Sequence, residues 1–243
     1  MRRLLAILVF TIAVPLHAEV TFTLDDGDRS QIDNAYPVLF KYHYPATEYL
    51  ITKPLGHDDY YMNWGDVKTL ELAGWDIEAH TRTHPHLTAL SHKQLVYELD
   101  GCIHDLRWHG YKGRHFATPY GDTDARVDKE LRKRFVSVRA GWVQINELNP
   151  ENKLQRYNLS AFNLVENTDV ELVKRLIEHG TFEKRWLILL VHNVYKDGDP
   201  RLKKNPNGSI SLSKFTEIVR YCNLQGTKVV TVDQYFKNHG LEK

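Results

Sequence analysis

Beyond residue 18, short apolar runs alternate with longer stretches whose apolar residues recur every three or four positions. This is the pattern of parallel strands covered by helices. The runs Val20–Leu24, Pro37–Tyr42, Glu48–Ile51, Trp75–Ala79, His115–Ala117, Phe135–Val138, Asn158–Phe162, Trp186–Val191 and Lys228–Thr231 predict strands. Helices are expected between them. Asn63, with Asp66 three residues on, caps a helix that stops at Gly74, and Ser91–Trp108 carries Leu95, Leu99, Cys102, Ile103 and Leu106 on one stripe. Thr123–Arg134, Asp169–His179 with Gly180 as terminator, and Ser213–Gln225 before Gly226 follow the same logic. The longest irregular stretch, Asn193–Ser211, reads as a surface excursion with a turn at Pro206-Asn-Gly208. Regular β/α alternation over this length favours a closed or nearly closed barrel, with a doubly wound open sheet as the alternative.

Residues 1–18 stand apart. Arg2-Arg3, an apolar run from Leu4 to Val14 and then Pro15-Leu-His-Ala18 match a secretory signal cleaved after Ala18. The run is short for a bilayer span, so stable membrane insertion after signal removal is not expected, although an N-terminal anchor is the plainer alternative. A secreted or periplasmic protein with a single domain over 19–243 follows. Without Arg2 and Arg3, 30 basic residues face 31 acidic ones, which argues against nucleic acid or another polyanion as a partner. Cys102 and Cys222 are the only cysteines, and the chain is long enough to bury a core without a bridge between them. The 13 Tyr, 9 Phe and 5 Trp, many beside Asp, Asn or His, suit sugar faces as well as core packing.

The candidate chemistry sits at predicted strand ends. Val20-Thr-Phe-Thr-Leu-Asp25-Asp26-Gly27 closes the first strand with two carboxylates, and His80-Thr-Arg-Thr-His84 follows the strand Trp75–Ala79. Pro85 and the preceding strand put the His pair on a tight loop rather than a helix. One carboxylate with two imidazoles leaves open positions on a divalent ion, as a catalytic site requires. These ligand types suit Zn2+ and also admit Co2+, Mn2+ or Ni2+. The second carboxylate is then available as a general base. Taken alone, Asp25-Asp26-Gly27 is equally a plain strand-ending turn. His192, after the apolar run Trp186–Val191, is placed to donate a proton to a leaving group, or is a core histidine bonded to backbone.

Together these segments resemble the motifs of the NodB-type polysaccharide deacetylases, carbohydrate esterase family 4. Thr21-Phe-Thr-Leu-Asp-Asp-Gly27 is similar to T-F-D-D-G, His80-Thr-Arg-Thr-His84 to H-[ST]-x-x-H, Ala117-Thr-Pro-Tyr-Gly121 to R-x-P-Y-G, and Leu189-Leu-Val-His192 to L-x-x-H. The resemblance implies a distorted (β/α) barrel with fewer than eight regular strands, Lys228–Thr231 contributing to its closure. It also implies hydrolysis of N-acetyl groups on an acetylated polysaccharide or oligosaccharide. By the same resemblance Asp25 is the general base, Asp26, His80 and His84 hold the metal, and the Tyr120 amide faces the oxyanion. Leu189 lines the acetyl-methyl pocket and His192 is the general acid. Pro119 and Trp142 are further substrate-binding candidates, Trp142 by stacking on a sugar or by packing in the core.

Two departures matter. Ala117 stands where members carry the Arg that orients the base, and Val138-Arg-Ala-Gly-Trp142 lacks the acid that normally precedes Trp. Arg139 is therefore expected to reach Asp25 from the next strand. An O-acetyl esterase and a non-catalytic polysaccharide-binding barrel are the other readings. Substrate choice is expected to lie in residues 52–64, where Asp58-Asp-Tyr-Tyr61 and Trp64 are either cleft lining or solvated surface, and in residues 193–211.

Overall fold

The strands in chain order are β1 (Glu19–Asp26), β2 (Thr47–Leu50), β3 (Asp76–Ala79), β4 (His115–Ala117), β5 (Ser137–Trp142), β6 (Asn149–Pro150), β7 (Leu159–Asn163), β8 (Arg185–Val191), β9 (Asn193–Tyr195), β10 (Ser209–Ser211) and β11 (Lys228–Val229). The helices are α1 (Tyr36–Phe40), α2 (Trp64–Leu72), α3 (His92–Trp108), α4 (Ala125–Arg134), α5 (Val170–Glu183), α6 (Pro200–Lys204), α7 (Leu212–Leu224) and α8 (Val232–Asn238). This computed structural model describes residues 19–142, 149–150, 154–183 and 185–242. The segment 1–18, with its expected cleavage after Ala18, lies outside them, as does the Trp142 side chain. No helix among the described residues is long and apolar enough to cross a membrane.

Parallel pairing runs β1-β2-β3-β4-β5-β7-β8 and returns from β8 to β1, which closes a seven-strand barrel with helices outside it. The expectation of fewer than eight regular strands holds. Closure is made by β8, whose Leu187–Val191 register with Val20–Leu24. The Lys228–Thr231 segment contributes only β11, which pairs with Glu19 and Val20 on the other edge of β1 before β2 begins. Thr231 instead caps α8 in a capping box with Gln234, a local pattern that outcompetes strand continuation.

Three other elements differ from expectation. Pro37–Phe40 is helical and Lys41–Tyr42 a turn, because Pro37 is tolerated in a first turn and Leu39 packs inward at helical spacing. Helix α5 continues through Gly180 to Glu183. Within Asn193–Ser211, β9 and β10 pair in parallel and Asp199-Pro200 starts α6. Helices α2 and α3 begin as expected, at Asn63 and Ser91 capping boxes. Both cysteines are buried and free.

Two apolar clusters hold the barrel. One fills the space between the sheet and the helices and includes Phe22, Leu24, Leu39, Leu99 and Leu189. The other, with Leu159, Trp186, Ile188, Leu190, Tyr235 and Phe236, lines part of the barrel interior and its N-terminal end. Helix α8 plugs that end. Tyr235 stacks on Trp186 at 3.7 Å, and Asp233 accepts hydrogen bonds from Arg114 (2.9 Å) and shares one with His115 (3.3 Å). With its floor closed, the barrel is open to ligands at the C-terminal ends of the strands, where barrels carry reactive groups.

Candidate active site

Register decides which side chains meet at that open end. Asp25 pairs with Tyr49 and Ala117 with Arg139, so these residues share the inner face. Arg139 extends across it and forms a buried ion pair with Oδ2 of Asp25, while its guanidinium lies 5.5 Å from the centre of the Tyr49 ring. The other oxygen, Asp25 Oδ1, is buried and accepts no hydrogen bond. The expected contact between Arg139 and Asp25 is thus present in the geometry.

Asp26 turns out of β1 with φ 82°, which redirects its carboxylate from the alternating strand pattern to the same mouth as Asp25. His80 follows β3, and its Nδ1 lies 2.8 Å from the Ala117 carbonyl. In the neutral ring that bond places the proton on Nδ1, so Nε2 presents a lone pair to the mouth. His84 is brought back beside it by a loop with φ 70° at Thr81 and 61° at His84. Thr81 Oγ1 accepts from the His84 amide, and the buried Glu98 of α3 accepts from the amides of Arg82 and Thr83 at 2.9 Å. Strained backbone gathered at one mouth and held by side-chain acceptors is the mark of a site built for geometry rather than stability.

The result is a tight cluster. His80 Nε2 lies 3.1 Å from His84 Nε2 and 3.3 Å from Asp26 Oδ1, and His84 Nε2 lies 3.5 Å from the same oxygen. Asp26 Oδ1 is buried yet takes no hydrogen bond. Among the described residues this is the one set of three His, Cys, Asp or Glu side chains whose donor atoms converge, all within 4.8 Å. Burial opposes ionisation of Asp26, but His80, with His192 and His84, holds its carboxyl well below the usual range. Burial lowers the His80 pKa, but Asp25 and Asp26 outweigh it and raise it. Burial and the neighbouring His80 push His84 down to about 4, so it is neutral at pH 7. An anionic pair facing two imidazoles attracts positive charge, and the donor set, with its orphaned oxygen, fits a divalent cation.

His192 follows β8 at the rim of the same cavity, which measures about 310 Å3 and also receives Thr118, Tyr120, Leu190, Asn205, Asn207 and Gly208. Gln31 ties the two strand ends together by donating to the carbonyls of Asp25 and His192. Tyr120 has φ 57° on a turn after the buried Pro119, and its ring stacks on His86 at 3.9 Å. Pro119 therefore shapes the turn and does not itself line the cavity. Leu189 is corrected: it pairs with Phe22 and faces the helices, whereas its neighbour Leu190, on the inner face, reaches the cavity. Asn205, Asn207 and Gly208 belong to the loop 193–211 in which substrate choice is expected to lie. Thr118 and Gln31 had no sequence signal.

A seven-strand (β/α) barrel with a two-histidine, one-carboxylate cluster and a second aspartate at its mouth defines the class structurally. The chain belongs to the polysaccharide deacetylase family, whose model matches residues 15–136. It is 43% identical over 67 residues to a poly-beta-1,6-N-acetyl-D-glucosamine N-deacetylase of Staphylococcus epidermidis, covering 26% of this chain and 23% of that protein. The protein of the same description from Staphylococcus aureus is 30% identical over 89 residues, covering 35% of this chain and 31% of that protein. The matched segments thus span less than a third of these relatives. The barrel is also similar to the Xyl-CE4 domain of a multidomain xylanase from the hindgut metagenome of Trinervitermes trinervoides (TM-score 0.64, 17% identity, 92% of each chain). It resembles the peptidoglycan deacetylase PdaC of Bacillus subtilis as well (TM-score 0.62, 17% identity, 92% of each chain).

Proposed function

We propose that this chain is a divalent-metal-dependent hydrolase that removes N-acetyl groups from an N-acetylated sugar polymer. One observation carries the reading: Asp25 has one oxygen paired with Arg139 and the other buried without a hydrogen bond, beside the Asp26, His80 and His84 cluster. The family and the descriptions of the staphylococcal relatives support the substrate class.

Asp26, His80 and His84 would hold the ion, Zn2+ by donor type. When bound, such an ion supplies Lewis acidity that lowers the pKa of water and polarises the amide carbonyl. Asp25 Oδ1 takes the proton of the attacking water, while Arg139 fixes the carboxylate's orientation and balances its charge. The Tyr120 amide donates to the developing oxyanion. His192 gives a proton to the nitrogen as the carbon–nitrogen bond breaks, so acetate and a free amine leave. Leu190 replaces Leu189 as the side chain against the acetyl methyl. Residues 19–243 form the catalytic domain, and segment 1–18 directs secretion or passage to the periplasm.

Acetate release from poly-β-1,6-N-acetyl-D-glucosamine, chitooligosaccharides and acetylated xylan, after chelation and with metal restored, tests the reading. Release from an N-acetylated glycan that depends on added metal is expected. Release from acetylated xylan alone would make the protein an O-acetyl esterase, and no release from any would contradict an enzymatic role.

A further inference from the structure

The catalytic cavity has a neighbour on the other side of His84. That imidazole also lines a second cavity of about 360 Å3, with Ile51, Tyr61 and Thr83. Lys53 and His57 are shared between it and a third, of about 440 Å3, which reaches Trp64, Arg82, Asp105 and Trp108. The three cavities are therefore adjacent along one face, each bordered by side chains that also line the next.

The far cavity has the chemistry of a sugar subsite. Trp108, the last residue of α3, is 80% exposed beside it. Trp64 is fixed by stacking on His109 at 3.7 Å and 9°, with Tyr111 beyond at 6.2 Å. Asp105 is held by Arg82 and by Thr52, each at 2.8 Å, which presents both donors and acceptors in a set orientation. A sugar ring offers an apolar C–H face and a rim of hydroxyls, and aromatic planes next to oriented polar groups match both. None of these groups takes part in the proposed chemistry, and an indole left so exposed has no part in the core.

We infer that these cavities form an extended cleft for the acetylated polymer, in which a sugar unit remote from the reacting one stacks at Trp108 and Trp64 and the chain between them passes His57 and Tyr61. This rests on the polymer deacetylase reading above and adds where the rest of the polymer lies. Trp108 and His57 are binding groups here and not catalytic residues.

The test compares long-chain poly-β-1,6-N-acetyl-D-glucosamine with its disaccharide for wild type, Trp108→Ala and His57→Ala, by acetate release and by retardation in native gels cast with the polymer. Both side chains are exposed, so the variants are expected to fold. The cleft requires KM on the polymer to rise about tenfold in Trp108→Ala, with kcat and the disaccharide kinetics unchanged and retardation weakened. Unchanged polymer KM and retardation in both variants would overturn it. If wild type released no acetate from either substrate, the enzymatic reading would fail, while retardation of wild type but not of Trp108→Ala would still support the cleft.

Discussion

Arg139 and Asp25, 114 residues apart, form a buried ion pair across the barrel mouth. The barrel register sets Arg139 beside Ala117, from where it reaches across to Asp25. The pair occupies one carboxylate oxygen and leaves the other, buried, without a hydrogen bond. Replacing Arg139 with Met is expected to lower kcat by roughly 100-fold, the scale of a misdirected general base, while bound metal stays at wild-type stoichiometry. Removing one partner of a buried pair also destabilises, by about 3 kcal/mol, so rates are to be referred to folded protein. Turnover equal to wild type would separate Arg139 from the reaction.

Strand alternation assigns opposite fates to two adjacent leucines. Leu190→Ala empties the wall of the cavity and is expected to reduce kcat/KM by about tenfold, a loss of the order expected for a few methylenes in a substrate pocket. Leu189→Ala leaves a hole between sheet and helices and is expected to cost roughly 3 kcal/mol of stability with kcat/KM of the folded enzyme unaffected. Urea unfolding and steady-state kinetics on both variants separate the two, and the reverse pattern would mean the register is misassigned.

The barrel floor makes stability depend on pH from two sides. Burial, then the adjacent Asp76, raises the Glu78 carboxyl well above its ordinary 4.5, and one of its oxygens accepts the His115 amide at 2.7 Å. Its contribution is fully present below pH 4.5 and is lost as pH rises through the raised folded value. Glu78→Gln keeps an acceptor and abolishes the titration, so its melting temperature relative to wild type is expected to climb by about 4 °C between pH 4.5 and 8. Burial lowers His115 below 6.5 despite Asp233 and Asp76, with Arg114 adding to the drop. Its contribution is complete above pH 6.5 and declines as acidification charges the unfolded chain first. A pH-independent melting difference for Glu78→Gln would contradict this account of the floor.

Much of the mouth was legible in sequence because each element carries its groups at a strand end, within a few residues of an apolar run. Asp25-Asp26, His80, His84 and His192 could be placed by that rule alone. Arg139 was legible only through the family resemblance, which marks an Arg missing at Ala117. Leu189 against Leu190 was not, because β8 is buried on both faces and a continuous apolar run hides its parity. Pro37-Val-Leu-Phe40 failed for a related reason: a short apolar run fits either period, and only packing against the core decides. Asn205, Asn207 and Gly208 reach the cavity through the β9 and β10 pairing, a long-range contact to which no local pattern pointed.

The central claim is that Asp25 is the base and Asp26, His80 and His84 the metal site. The most direct measurement is paired metal analysis and acetate release for wild type, Asp25→Asn and Asp26→Asn on the same N-acetylated polymer. Asp25→Asn is expected to retain metal and lose at least about 100-fold in kcat, whereas Asp26→Asn loses metal and activity together. An Asp25→Asn protein that turns over at the wild-type rate, or an Asp26→Asn protein with full metal, would contradict the division of labour between the two aspartates.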